Sequence, residues 1–367
     1  MPESTGCASG DSVHTAGAAD PLLSVILPNF NHSQYLPRAL DALLGQDRPA
    51  DEIIVVDDAS TDHSLDVIAR YRAMHPCVRL LINERNVGPI ASLTKGSYVA
   101  IGRYIYFGAA DDYVMPAFFA TALAALEANP GAGTFCGDTE LVDGESRNVL
   151  GVRPPIRPRL HAGVISPRRF ASLLRHGDNY IVTGAAIFRR NAVAWAGGFD
   201  KKLGSLADGY LARKIALTYP TFYAPQTVLT WCIFSGSVSR ASSTRAARAR
   251  YLSQQVHSRI KSDPVFPTWY ADKFVRRWHF STARLGVLSD PVDRSLVMDM
   301  GAHSAADRLV IGLLLRNAGE RAGRILILLW LWLRWQPFSA TGLTLTASVR
   351  MWSKMMRSRK SLLAKRP

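Results

Sequence analysis

The sequence from residue 22 onward is built from a repeated unit, in which a short apolar strand is followed by a polar turn and a helical stretch. Strands of this kind are predicted at residues 22–27, 52–56, 78–82 and 104–107, with helical stretches between them. Because these strands are apolar almost throughout, both of their faces must be covered by other parts of the chain. The pattern therefore predicts an α/β fold with a mainly parallel central sheet.

This pattern continues to about residue 240 and then changes. Further strands are predicted at residues 133–138, 183–188 and 228–234, and a further helix at residues 208–217. From residue 241 the sequence becomes helical and rich in arginine. The predicted division is a disordered tail (1–20), one α/β domain (21–240) and a helical, basic C-terminal region (241–367).

Acidic residues closely follow two of the predicted strands. Asp57 and Asp58 end the second strand, and Asp111 and Asp112 follow the fourth. Ligands of such sheets bind at the carboxyl ends of the strands, so the first pair could accept from a nucleobase N–H. The second pair offers the hard oxygen atoms that suit Mg²⁺ or Mn²⁺. Taken singly, each pair could instead form a solvated turn, and Asp208 could be an ordinary helix cap.

The charge of the chain indicates a class of partner. There are 44 Lys and Arg residues against 29 Asp and Glu, which gives a net charge of +15. Such an excess indicates nucleic acid, an anionic membrane surface or a phosphorylated substrate. No zinc, helix-turn-helix or aromatic-strand RNA motif is present, so nucleic acid is not expected. The four cysteines are far apart and residues 1–20 lack an apolar signal segment, which predicts a cytoplasmic location.

Several segments together resemble the family 2 glycosyltransferases, which are inverting enzymes with the GT-A fold. They are SVILPNFN at 24–31, IVVDDASTD at 54–62, NVG at 86–88 and ADD at 110–112. The match continues in order with GGFD at 197–200, LAD at 206–208 and GSVS at 236–239. The resemblance covers about residues 22–240, and it is the order of the segments that makes it specific.

The resemblance implies a role for each matching residue. Asp208 would be the general base of a single displacement that inverts the anomeric carbon. Asp111 and Asp112 would bind a divalent metal, Mg²⁺ or Mn²⁺, which offsets the diphosphate charge. The residues expected at the nucleotide-sugar are Pro28, Phe30, Asn31, Asp57, Asp58, Asn86, Gly88, Lys95 and Asp111.

Two departures from the family pattern affect this expectation. Ala109 stands where many relatives have an acid, and Cys232 and Phe234 lie near the place of an arginine and a histidine. Cations for the diphosphate must then come from elsewhere, and the candidates are Lys95, Arg240 and Arg245. The same losses leave a second hypothesis open, a non-catalytic sugar-nucleotide-binding protein that regulates or scaffolds an assembly complex.

The most apolar segment of the chain lies near its end. Residues 325–333 are uninterrupted apolar residues that include Trp330 and Trp332, and arginines flank them on both sides. The run is too short for the roughly 20 residues of a membrane span. Tryptophan, arginine and the basic tail at residues 350–367 instead predict a membrane-interface helix near residues 325–335, with an ordinary core helix as the alternative.

The sequence therefore predicts an inverting glycosyltransferase. It would move a sugar from a nucleotide-sugar, UDP-linked in the first instance and otherwise GDP- or dTDP-linked, to a saccharide or lipid-linked acceptor in surface polysaccharide or glycan synthesis. Its predicted location is peripheral, on the inner face of the cell membrane.

Overall fold

A computed structural model describes residues 22–178, 180–234 and 244–336. The predicted disordered tail, the GSVS segment, Arg240 and the basic tail at residues 350–367 all lie outside the described residues. Within them, the predicted alternation of strands and helices is present and the α/β class is confirmed.

The first part of the chain alternates strictly. Its elements are β1 (Leu23–Asn29), α1 (Leu36–Leu44), β2 (Glu52–Asp57), α2 (Ser64–Met74), β3 (Val78–Ile82), α3 (Pro89–Val99) and β4 (Tyr104–Phe107). The next are β5 (Tyr113–Val114), α4 (Phe118–Ala128), β6 (Thr134–Asp143), β7 (Val149–Arg153), β8 (Gly163–Ile165) and α5 (Pro167–Leu173). They are followed by β9 (Ala186–Arg189), α6 (Arg190–Ala196), α7 (Ala207–Thr218) and β10 (Thr221–Ile233), with 3₁₀ turns at Thr183–Ala185 and Lys201–Leu206.

The described strands form one ten-stranded sheet that is mixed. Its order is β3-β2-β1-β4-β9-β6-β10-β5, with β7 beside β6 and β8 beside β10. The four N-terminal strands are parallel to one another, as predicted. The expectation of a mainly parallel sheet fails beyond them, because β9 enters between β4 and β6 in the opposite direction. Strands β5, β7 and β8 also pair antiparallel.

Successive residues of the central strands enter two different cores. Val25 and Leu27 of β1 pack with Leu40 of α1 on one face of the sheet. Ile26 between them packs with Leu93 of α3 on the other face. This alternation follows from the two-residue period of a strand, and it explains why the strands must be apolar at every position.

The described part of the C-terminal region, residues 244–336, is helical. They are α8 (Ala246–Ser262), α9 (Tyr270–Leu288), α10 (Arg294–Gly301), α11 (Ala305–Leu315) and α12 (Arg321–Trp335). Val256 and Ile260 of α8 and Phe274 of α9 belong to the same core as the sheet residue Ile26. The end of α9 and the last three helices form a separate core. The first two helices thus share a hydrophobic core with the sheet, and the last three pack mainly on one another. Among the described residues, no helix has the length and hydrophobicity required to cross a bilayer.

Candidate active site

The loops that follow β1 and β2 are joined through a buried carboxylate. Asp57 accepts hydrogen bonds from Asn29 Nδ2 (2.8 Å), Ser60 Oγ (2.6 Å) and the Ser60 backbone N–H (2.9 Å). Asn31 extends the link, because its backbone N–H donates to Ser60 Oγ (3.0 Å) and its Oδ1 accepts from the Thr61 N–H (2.7 Å). Asp57 and Asn31 therefore hold the two loops in a common surface at the carboxyl end of the sheet.

Asp58 joins the next pair of loops in the same way. Its carboxylate accepts from Asn83 Nδ2 (2.7 Å), the Val87 N–H (3.0 Å) and the Gly88 N–H (2.7 Å). Asn86 Oδ1 also accepts from the Gly88 N–H (3.1 Å), and Gly88 has φ of 88°, a left-handed conformation that favours glycine. The predicted residues Asp58, Asn86 and Gly88 thus lie together.

Lys95 supports this network from α3. Its Nζ donates to Ile82 O (2.7 Å) and to Asn83 Oδ1 (2.9 Å). Asn83 in turn donates to Asp58, so Lys95 is linked to the Asp58 carboxylate through Asn83. Of the other cations considered for the diphosphate, Arg240 lies outside the described residues and Arg245 lies immediately before α8.

Two further predicted residues lie on β1 or directly after it. Pro28 is the last-but-one residue of β1 and pairs with Val56 of β2. Phe30 follows the strand and is 39% exposed, although it is a large apolar side chain. An aromatic ring presented to solvent beside Asn31 is free to stack on a planar ligand.

The β2 loop contains a strained residue. Ala59 follows Asp58 directly and has φ of 62°, in the left-handed region where a side chain costs about 1–2 kcal/mol. We expect Ala59→Gly to raise the free energy of unfolding by about 1 kcal/mol in urea denaturation. The matched control is Ala91→Gly in the regular helix α3, which should lower it by about 1 kcal/mol. Equal losses in both variants would contradict this account.

The second acidic pair lies after β4, at a meeting point of distant segments. Asp112 Oδ1 accepts from the Cys232 N–H (2.8 Å) of β10. Arg38 of α1 donates from Nη2 to Cys232 Sγ (3.1 Å) and to Asp111 O (3.4 Å), and it lies 4.1 Å from the centre of the Tyr113 ring. A second guanidinium, that of Arg147, lies 3.8 Å from the same sulfur.

The electrostatics of this pair follow from burial and mutual repulsion. Burial raises the pKa of Asp111, and the nearby His32 and Arg38 oppose that shift. Burial and then the charge of Asp111 hold the pKa of Asp112 well above its ordinary value. A cation placed here would lower the pKa of both residues, because it favours the ionised form of each carboxylate.

A metal at this point would find few ligands. The described residues contain no group of three or more His, Cys, Asp or Glu side chains able to hold an ion. Asp112 already accepts from the Cys232 N–H, so Asp111 is the better placed of the two predicted ligands. His32, which influences Asp111, has an Nδ1 that is buried and lacks a hydrogen-bond partner in the described part of the chain. A single carboxylate fits a divalent cation that takes most of its ligands from the substrate phosphates and water.

Asp208 lies in the first turn of α7 and is partly buried. Its Oδ1 accepts from the Gly209 N–H (2.6 Å). Burial raises the pKa of Asp208, and the Gly209 N–H and the Arg213 guanidinium oppose that shift. The side chain is therefore a stronger base than an exposed aspartate, as a proton acceptor requires.

A tyrosine of β4 connects Asp208 with the acidic pair. The Tyr106 hydroxyl donates to Gly184 O (3.0 Å) in the 3₁₀ turn Thr183–Ala185, and that turn contacts α7. The charge of Asp112 and, above all, burial raise the pKa of Tyr106. Asp112 and the 3₁₀ turn that contacts α7 therefore both lie near Tyr106.

Four residues of this site were missed by the sequence analysis. Arg38 and Arg147 converge on Cys232 from 194 and 85 positions away in the chain, and no local pattern signals such contacts. His32 is likewise unmarked in the sequence. Asn83, by contrast, could have been found, because it directly follows β3 as the predicted acids follow their strands.

Comparisons with known proteins identify the family of this chain. A profile of glycosyl transferase family 2 matches residues 24–194. The putative teichuronic acid biosynthesis glycosyltransferase TuaG of Bacillus subtilis is 35% identical over 92 residues, which cover 25% of this chain and 36% of TuaG. The matches to the first curated relatives thus span about a third of their length.

Two solved structures share the fold. Staphylococcus aureus TarS 1–349 in complex with UDP has a TM-score of 0.54 at 20% identity, covering 84% of this chain and 89% of that one. The mannosyltransferase PcManGT of Pyrobaculum calidifontis, in complex with GDP-Man and Mn²⁺, has a TM-score of 0.53 at 22% identity, covering 91% and 88%. The fold is that of the GT-A glycosyltransferases. The chain belongs to glycosyl transferase family 2.

Proposed function

We propose that this glycosyltransferase uses a UDP-sugar donor and inverts the anomeric carbon, with a saccharide or lipid-linked acceptor of a cell-surface polymer. The observation that supports the proposal is that Asp58 and Asp111 follow parallel strands, while the 3₁₀ turn that contacts the Asp208 helix is bonded to Tyr106 of β4. The UDP bound by TarS supports the choice of nucleotide, and the name of TuaG supports the class of product.

Each proposed role follows from the position of the residue. The exposed ring of Phe30 stacks on the base, and the Asp58 network with Asn86 and Gly88 shapes the pocket for base and ribose. Arg38 lies where a cation can face the diphosphate. A divalent cation, when bound by Asp111, would supply further positive charge for the leaving diphosphate.

The reaction is a single displacement. Asp208 takes the proton of the acceptor hydroxyl, and the oxygen bonds to the anomeric carbon as the bond to the diphosphate breaks. The proton ends on Asp208, and the electron pair of the broken bond leaves with the nucleoside diphosphate. The raised pKa of Asp208 suits this role.

One assay distinguishes an active enzyme from a non-catalytic sugar-nucleotide-binding scaffold. The scaffold hypothesis arises because Ala109 and Cys232 depart from the family pattern. Native protein and Asp111→Ala are incubated with Mn²⁺ and a panel of UDP-, GDP- and dTDP-sugars, and release of the nucleoside diphosphate is measured. We expect release from one donor and a loss of about 100-fold or more in Asp111→Ala. Tight donor binding without release from the native protein under any metal would support the scaffold instead.

We further propose that the protein is peripheral on the inner face of the cell membrane, through α11 and α12. Leu309 and Leu313 of α11 are each at least half exposed, four residues apart on one face. So are Ile325, Leu329 and Leu333, which follow the same spacing along α12. The two helices pack on each other. On the opposite side of α12, Ile327 and Leu331 are buried.

The charges around these leucines favour an anionic bilayer. The exposed Arg308, Arg316 and Arg321 lie beside the apolar positions, and the last 31 residues contain seven Lys and Arg and no acidic residue. Exposed apolar side chains beside arginines suit the headgroup region, where each cation adds about 1 kcal/mol.

Vesicle flotation tests this surface. With phosphatidylglycerol vesicles, we expect the native chain to float and Leu329→Asp/Leu333→Asp to bind at least about tenfold more weakly, since two leucines no longer enter the bilayer. The control is Ile101→Asp/Leu160→Asp, which changes apolar residues elsewhere that are at least as exposed on average. Equal flotation of both double variants, or no flotation of the native chain, would refute the proposal.

A further inference from the structure

A cleft of about 690 Å³ lies among the C-terminal helices, and none of its residues belongs to the candidate active site. This volume is within the range of small-molecule sites, roughly 300–1,000 Å³. Polar residues that line it repeat at i, i+4 and i+7 on both α8 and α9, so each set shares one face of its helix. They are Arg250, Gln254 and His257 of α8, and Asp272, Arg276 and His279 of α9. Packed helices ordinarily present apolar residues to each other, so these polar faces need another explanation.

The negative charges of the cleft are already paired. Its lining includes two carboxylates, those of Asp272 and of Asp299 in α10. Asp272 Oδ1 lies 2.8 Å from His257 Nε2. Asp299 Oδ1 accepts from Arg250 Nη2 at 2.9 Å, and the same nitrogen donates to Asp299 O at 2.6 Å. Neither carboxylate is therefore left to attract a cationic ligand.

The hydrogen-bond donors of the cleft, by contrast, are available. Arg276 and Arg308, which is the α11 residue of the lining, are both exposed. In the part of the chain that the structure describes, neither guanidinium forms an ion pair or a hydrogen bond, and the side-chain amide of Gln254 has no partner either. A guanidinium group donates in a planar fork that matches the oxygen atoms of phosphate. The unpaired groups of the cleft thus suit an anion with several oxygen acceptors.

We propose that this cleft binds a phosphate ester, with Arg276 and Arg308 donating to the phosphate oxygens and Gln254 bonding beside them. The volume of the cleft exceeds that of a single ion, so it also admits the group to which the phosphate is attached. Arg308 directly precedes the exposed Leu309, and Trp335 at the end of α12 also lines the cleft. A lipid headgroup and a phosphorylated saccharide share the required chemistry, and the test below distinguishes them.

Calorimetric titration of the full chain tests the cleft with two soluble probes. They are dihexanoylphosphatidylglycerol below its micelle concentration, which represents a lipid headgroup, and glucose 1-phosphate, which represents a phosphorylated saccharide. We expect saturable binding of at least one probe, and Arg276→Gln/Arg308→Gln should weaken it about tenfold or more, since two charged donors are lost. The matched control is Arg72→Gln/Arg168→Gln, which removes the same charge from exposed arginines outside the cleft and should leave the affinity unchanged.

Each outcome bears on the cleft without any sugar transfer. Tighter binding of the phosphatidylglycerol identifies a lipid headgroup as the ligand, and tighter binding of glucose 1-phosphate identifies a phosphorylated saccharide. Equal weakening in the two double variants would overturn the proposal, because general surface charge would then explain the binding. So would the absence of saturable binding of both probes, or binding that is unchanged in Arg276→Gln/Arg308→Gln. Thermal unfolding of each variant checks that the fold is retained, and Gln254→Leu gives a second test of the same cleft, with weaker binding expected.

Discussion

Asp208→Asn is expected to lower the rate of sugar transfer by about 10²–10⁴-fold, the usual contribution of a positioned general base. The amide has nearly the shape of the carboxylate and can still accept from the Gly209 N–H, so the fold and donor binding should persist. The measurement is kcat with the best donor, together with the donor affinity by calorimetry. A matched control is Asp66→Asn, an exposed aspartate of α2 that should leave both unchanged.

The pH dependence gives this prediction a second test. Asp208 acts as a base only when ionised, and burial raises its pKa. The rate should therefore increase with pH through that raised pKa, with the acidic limb above the ordinary range of an aspartate. Nearly equal kcat values for Asp208→Asn and the native chain would remove Asp208 from the mechanism.

The largest expected effect on stability is that of Arg277→Met. Arg277 of α9 is almost fully buried and pairs with Asp178 at 2.7 Å. It also donates to Leu174 O (2.8 Å) and Arg175 O (2.9 Å), while the Tyr270 hydroxyl donates to the same Asp178 (2.8 Å). Removal of the guanidinium leaves a buried carboxylate and two carbonyls without this donor.

We expect this change to lower the free energy of unfolding by about 3–5 kcal/mol, as measured in urea. The neighbouring Arg276→Met is the control, because Arg276 is exposed and its loss should cost less than about 1 kcal/mol. Adding Asp178→Asn to Arg277→Met should recover part of the loss, since the buried charge is then removed. A loss below about 1 kcal/mol for Arg277→Met would mean that this contact does not hold α9 to the rest of the molecule.

These two residues illustrate different limits of sequence reasoning. Asp208 was found only because the LAD segment follows the other family segments in order, since a helix-start aspartate alone is ambiguous. Arg277 was not found at all. A buried arginine has no local pattern, because the carbonyls it bonds lie about 100 residues earlier in the chain.

The same distinction applies to the sheet. The four parallel strands were predicted because each is a continuous apolar run followed by a helix, which is a local property. The antiparallel insertion of β9 between β4 and β6 was not, because strand order depends on which edges remain free once the first strands have paired. The predicted placement of Asp58 and Asp111 does not depend on this error, because both residues follow strands of the parallel set.

The sequence by itself determined the α/β class, the four N-terminal strands and the positions of Asp58 and Asp111 after two of them, since these depend on residues that are neighbours in the chain. Only the tertiary structure decided that Arg38 and Arg147 meet at Cys232, and that Lys95 bonds the asparagine that donates to Asp58. The physical reason is that these contacts join segments far apart in the chain. Such contacts depend on long-range packing, which cannot be predicted from local propensity or from the periodicity of the sequence.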